Sequence, residues 1–268
     1  MVGYQTISAS LCETLVELAW RTWRAIGVGR VGGIAWSEPT ITEVNLLDLQ
    51  LRHPSNITVW KFSAWEESTK TGADWEWWIG RPGRWFGLRV QAKKIHHSGS
   101  GYRKLDHTSR SGRQVDLLIK NASPTCYPIF CFYNFWNPPL STLPWNCPGF
   151  HPDERLLGCS IADGFAVQKL IYSKRNRLSD ILPISLPWSC LACCQGWISY
   201  GGSLEERVRS VISHLPERTD QPIPQFQNSL PEYAERIRRG DQEIPEAPDI
   251  PFVVVLSLEE EQQLRQIG

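Results

Sequence analysis

An acid, an amide and an ammonium stand at positions 74, 91 and 93 of this 268-residue chain, close enough to meet across a single turn. In the run Asp74-Trp-Glu-Trp-Trp-Ile79, strand alternation puts Asp74, Glu76 and Trp78 on one face and Trp75, Trp77 and Ile79 on the other. Along Trp85 to Lys93, Arg89, Gln91 and Lys93 share a face while Leu88, Val90 and Ala92 take the apolar one. Gly80, Pro82 and Gly83 mark a turn between the two runs, so pairing them brings Asp74 against Gln91 and Lys93. A carboxylate and an amide oxygen are hard ligands suited to Mg²⁺ or Mn²⁺. A lysine beside them adds a point charge that stabilises a phosphate in transfer or holds an attacking water. The plainer reading is a solvent-facing strand side, but carboxylates idle among Trp75, Trp77, Trp78 and Ile79 would carry a desolvation cost.

Such a site needs elements to hold it. Apolar residues at three- and four-residue spacing predict a helix over Ala9–Ile26, followed by a glycine-rich break from Gly27 to Gly33. A second helix is expected from Thr40, where Thr-Ile-Thr-Glu43 fits a capping box, to a limit at Pro54. Three strands follow over Ile57–Trp65, Asp74–Ile79 and Trp85–Lys93, then a short helix over Gln114–Ala122 and a buried strand over Tyr127–Phe135. Beyond the proline-rich loop 137–152, Glu154–Tyr172 reads as helical. Seven prolines between Pro216 and Pro251 predict an extended wrap, broken by a helix over Glu232–Arg239, and Phe252–Leu258 reads as a last strand.

The acid opening one strand, the Gln91-Ala92-Lys93 element on the next, and the order helix-strand-strand-strand-helix-strand resemble the PD-(D/E)XK nuclease superfamily, the restriction-endonuclease-like fold. Gln91 in place of the usual second acid is similar to the Mrr-like QxK branch. The strings TGADWEWW and LRVQAKK also resemble an uncharacterised bacterial family placed in that superfamily. The resemblance spans Thr40 to Phe135. It implies an α/β fold with this core at 40–135, inside a nuclease-like domain at 1–172 that includes the N-terminal helix. An irregular proline-rich C-terminal extension at 173–268 would brace or regulate it.

The resemblance implies Asp74 as the principal metal ligand, Gln91 as the second, Lys93 as the catalytic cation and Glu43 as the helix acid. Glu76, on the face of Asp74, would restore the charge lost at Gln91, and Gln114 matches a position near substrate or metal. The activity implied is Mg²⁺-dependent hydrolysis of DNA phosphodiesters, in defence against foreign DNA or in repair. A homodimer would let one site per chain cut both strands, and the extension leaves room for a protein partner. A degenerate scaffold that binds nucleic acid or a protein without cutting stays open, because Gln91 is neutral.

Charge and cysteine usage frame these readings. The 28 basic and 28 acidic residues cancel, which excludes a global field drawing the molecule to nucleic acid or to an anionic membrane. Locally, nine lysines and arginines lie between Arg81 and Arg113 against the single acid Asp106, a belt whose Lys94, Arg103, Lys104 and Arg113 would contact phosphates. No apolar run reaches membrane-spanning length and the start lacks the layout of a secretion signal, so a cytoplasmic protein with eight reduced cysteines is expected. Cys147, His151, Cys190 and Cys193 have spacing compatible with zinc, which makes a zinc-stabilised interaction protein the third reading, weaker than buried structural thiols.

Overall fold

The computed structural model describes residues 2–62, 71–122, 124–194, 202–244 and 249–258, of which 2–9 are described as backbone only. In chain order the elements are α1 (Val2–Gly32), α2 (Glu38–Arg52), β1 (Ile57–Lys61), β2 (Trp75–Arg81), β3 (Arg84–Lys94) and a small ribbon of β4 (Thr108–Ser109) and β5 (Gly112–Arg113). They continue with α3 (Gln114–Ala122), β6 (Cys126–Tyr133), a 3₁₀ turn (Glu154–Gly158), β7 (Cys159–Asp163), α4 (Gly164–Tyr172) and α5 (Leu178–Ile181). After a second 3₁₀ turn (Leu182–Ile184) come β8 (Ser185–Pro187), α6 (Cys190–Cys193), α7 (Leu204–Ser213), α8 (Glu232–Arg239) and β9 (Phe252–Ser257).

Seven strands form one mixed sheet in the order β1-β9-β2-β3-β6-β7-β8. The β2–β3 hairpin forms as expected around Pro82-Gly83, pairing Trp75 with Val90 and Glu76 with Arg89. From β3 the chain crosses through α3 and returns in β6, parallel to β3. Alternation then sorts the side chains. Trp75, Trp77, Ile79, Leu88, Val90 and Ala92 join the core shared with α1, α2 and α7. Asp74, Glu76, Arg89, Gln91 and Lys93 alternate with them, which puts these polar groups on the opposite face, where Phe130 and Phe132 pack with residues of α3 and α4.

The strand β9 is inserted between β1 and β2. β9 runs parallel to β2 and antiparallel to β1, and its Phe252-Val-Val-Val-Leu256 stretch is buried throughout. A strand covered on both faces has no polar alternation, which is why it reads as an unbroken apolar run. The segment after 173 therefore supplies β8 and β9 to the same sheet as β2 and β3. Within it α8 forms over Glu232–Arg239 as expected, and Gln227 bridges to Trp85.

Three local expectations are corrected. The glycine-rich stretch does not break α1, which continues to Gly32. Gly27 is there for close approach, since a Cβ at that position would lie 2.5 Å from the Phe135 ring. The predicted helix over 154–172 contains the strand β7, fully buried and antiparallel to β6, because pairing with a central strand overrides the local helical pattern. Asp163 ends that strand and caps α4 by accepting from Ala166 N at 2.8 Å. Finally, α2 starts two residues before Thr40: Ser37 is the cap, its hydroxyl accepting from Thr40 N at 3.2 Å, and Pro39 occupies the first turn. The end of the first predicted strand, Ser63 to Trp65, lies outside the described residues.

Candidate active site

Asp74 immediately precedes β2, and its backbone N–H donates to Val90 O at 2.8 Å, so the residue stays in register with the hairpin. Across the pair, Gln91 Nε2 and the Ala92 backbone N–H donate to Asp74 Oδ2 at 2.7 and 2.6 Å. Two donors on one oxygen fix the plane of the carboxylate. The other end of the Gln91 amide is left over: its Oε1 is buried and has no hydrogen-bond partner. Lys93, only 5% exposed, donates from Nζ to Gln114 Oε1 at 3.0 Å. The start of the crossover helix thereby holds the ammonium in place.

A fourth group joins them from α2. Glu38, in the first turn of the helix, accepts from Lys94 N through Oε2 at 2.8 Å. Burial pushes its carboxyl up to about 7. The Lys93 ammonium works against that shift, and the negative charge of Asp74 adds to it. Asp74 is raised as well, again by burial first, with Lys93, the Ala92 N–H and the Gln91 amide opposing. Two carboxyls that resist ionisation, an unpaired amide oxygen and a buried ammonium are a set that a divalent cation would complete.

Asp74, Gln91, Lys93 and Gln114 are thus brought together as the sequence predicts, while Glu43 and Glu76 are not. Glu43 lies one helical turn and more beyond Glu38, exposed, and ion-paired with Lys61 at 2.8 Å. On α2 it is Glu38, not Glu43, that feels the charges of Lys93 and Asp74. The signal for Glu38 was present in Ser37-Glu38-Pro39, a cap followed by a first-turn acid and proline, but the neighbouring Thr-Ile-Thr-Glu imitates a start. Glu76 shares the face of Asp74 yet belongs to a separate buried network: it accepts from Arg89 Nε at 2.7 Å, from Trp78 Nε1 at 2.6 Å and from the Tyr233 hydroxyl. It is fully enclosed.

The basic belt is only partly free to meet a ligand. Lys94 Nζ donates to the Trp36 carbonyl. Arg113 pairs with Asp106 at 2.7 Å and lies over the Tyr172 ring at 4.6 Å, so neither of these two presents the open phosphate contact expected. Arg103 and Lys104 are exposed, and the charge of Lys104 is felt at Glu38.

Six of the eight cysteines are free and buried, as the reading of reduced structural thiols expects, and two are not. Cys12 and Cys193, 181 residues apart, form a disulfide, because α1 and α6 bring their Cα atoms to 5.0 Å. Cys193 is thereby removed from the predicted zinc set and His151 is exposed, but Cys194 takes a place beside Cys147 and Cys190. Hydrogen bonds from the Cys190 and Cys194 thiols, aided by the Gly149 and Phe150 N–H groups, draw Cys147 down to about 3, whereas burial pushes Cys190 up.

Among the described residues no helix is long and apolar enough to cross a membrane. A sequence model for a family described as of unknown function matches residues 11–262, a span that takes in the whole Asp74 cluster and β9. No curated protein matches the chain.

Proposed function

The chain belongs to this family, DUF6615, and from that footing we propose that it is a magnesium-dependent nuclease that hydrolyses DNA phosphodiesters on a restriction-endonuclease-like core. One observation carries the reading: Asp74, Gln91 and Glu38 converge beside Lys93, and the Gln91 oxygen among them is buried without a partner. The order α2-β1-β2-β3-α3-β6, with β6 parallel to β3, supports the same core, with β9 as an insertion between its first two strands.

The donor set fits the ion. Asp74, Gln91 and Glu38 offer only oxygen, the hard ligand that Mg²⁺ and Mn²⁺ prefer, and no thiol or imidazole competes among them. When bound, such an ion supplies positive charge to the scissile phosphate and a more acidic water. The protein's own part is positional. Gln114 takes one of the three Lys93 N–H donors, leaving two for a water or a phosphate oxygen. The Ala92 N–H and Gln91 amide keep the Asp74 carboxylate from rotating. Exposed Arg103 and Lys104 would track the DNA backbone. This reading implies action in the cytoplasm, where foreign DNA or DNA under repair is met, with a homodimer for cutting both strands.

Two outcomes follow for metal binding. Glu38→Gln should weaken Mg²⁺ binding by at least about tenfold, the equivalent of ~1.4 kcal/mol, while Glu43→Gln leaves it unchanged. Isothermal titration of the two variants decides between the acids, and a loss with Glu43→Gln but not with Glu38→Gln would return the role to Glu43. Because Glu38 holds its proton up to about 7, Mg²⁺ affinity should rise by about tenfold from pH 6 to pH 8, with proton release on binding. The sign for stability is opposite in the metal-free protein. A carboxyl whose folded pKa is raised favours folding when protonated, so metal-free stability falls as the pH climbs from the ordinary glutamate range to about 7. Thermal unfolding with and without Mg²⁺ across that range reads both effects, and a pH-independent affinity would remove Glu38 from the site.

The scaffold reading draws on one observation, that Asp74 Oδ2 already accepts two hydrogen bonds. Nicking of supercoiled plasmid separates the two. Open circles that form only with Mg²⁺ or Mn²⁺ support the nuclease. Salt-sensitive DNA binding with no nicking at any metal concentration supports the scaffold.

A further inference from the structure

Away from the Asp74 cluster, three further potential ligands meet in the core. Cys147 sits in the loop between β6 and β7, and its Sγ lies 3.1 Å from Cys194 Sγ and 3.0 Å from Cys190 Sγ. All three sulfurs fall within 4.8 Å of one another, and all three residues are buried. We propose that Cys147, Cys190 and Cys194 bind one zinc ion as thiolates, fastening the loop around Cys147 to the α6 turn.

The local chemistry favours a metal over three idle thiols. Cys190 and Cys194 flank a single helical turn at i and i+4, the spacing that puts two side chains on one face. Cys193, turned toward α1, is engaged with Cys12 and takes no part. The opposite wall is the turn Cys147-Pro-Gly-Phe150, in which the backbone N–H groups of Gly149 and Phe150 donate to the Cys147 sulfur. Such donors satisfy a thiolate and do little for a neutral thiol. Gly149 lets the turn approach, since a Cβ there would stand 3.0 Å from Cys194 Sγ. Three sulfur ligands are soft, and zinc is the ion such a set selects, with water in the fourth tetrahedral position. Cys147 is already a thiolate, so binding releases the protons of Cys190 and Cys194 to solvent. None of this depends on the nuclease reading, which uses oxygen ligands on other elements.

The test is elemental. Full-length protein purified without chelators should carry about one zinc per chain, and so should Asp74→Asn and Cys126→Ser, whereas Cys147→Ser and Cys190→Ser should lose it. Should those two variants fold poorly, the wild type still answers. Metal-free, reduced protein titrated with Co²⁺ should develop a thiolate-to-cobalt charge-transfer band and the intense visible bands of a tetrahedral site. Zinc below a tenth of an equivalent together with no such band would overturn the proposal. So would a disulfide joining any two of the three cysteines in protein alkylated at lysis and mapped by mass spectrometry.

Discussion

Replacing Lys93 with alanine should lower Mg²⁺-dependent plasmid nicking by about 10²- to 10³-fold, the loss typical of removing one charged donor aimed at a developing negative charge. The ammonium is buried and held by Gln114, and two of the neighbouring bases have contacts of their own. Lys94 is tied to the Trp36 carbonyl and Arg113 to Asp106. Stability should change little, about 1 to 2 kcal/mol for the Gln114 oxygen left without its donor. Asp74→Asn should fall as far through lost metal affinity, again with the fold intact. Nicking rates measured across a range of Mg²⁺ concentrations, with circular dichroism on the same preparations, test both variants. Wild-type cutting by either one would remove the hairpin from catalysis.

Glu76→Ala should do the reverse, destabilising the protein by about 3 to 5 kcal/mol whatever the state of the active site. The side chain is fully buried and accepts from Trp78, Arg89 and Tyr233 at once. Without it the Arg89 guanidinium keeps, among the described residues, its bond to the Asn121 carbonyl and stays largely enclosed as an uncompensated charge. A loss of that size is a large fraction of the 5 to 15 kcal/mol that holds a typical domain together. Urea unfolding of the variant measures it. Stability equal to wild type, combined with lost Mg²⁺ binding, would return Glu76 to the metal site.

These two acids show what the sequence can and cannot disclose. Asp74, Gln91 and Lys93 were legible because hairpin pairing is local: a two-residue turn and strict alternation determine which side chains face each other. The same alternation put Glu76 with Asp74, correctly as to face, but a sheet covered on both sides gives no sign of which polar residue is reachable. Glu38 was hidden by two competing helix starts three residues apart, resolved only by the Ser37 cap. Cys194 was passed over for Cys193 because i+3 and i+4 are nearly equivalent on one turn, and only the approach of Cys12 separates them. The strand β7 and the seat of β9 depend on partners distant in sequence, for which no local pattern exists.

The position of β9 has a bearing on biosynthesis. During translation the flank of β2 stays open long after the β2–β3 hairpin has emerged, because its neighbour β9 is made much later than the hairpin. A nascent or truncated product would thus expose an unpaired, tryptophan-rich edge beside an unfinished Asp74 pocket. Docking of β9 is thus the step that closes the flank of the hairpin carrying Asp74, Gln91 and Lys93.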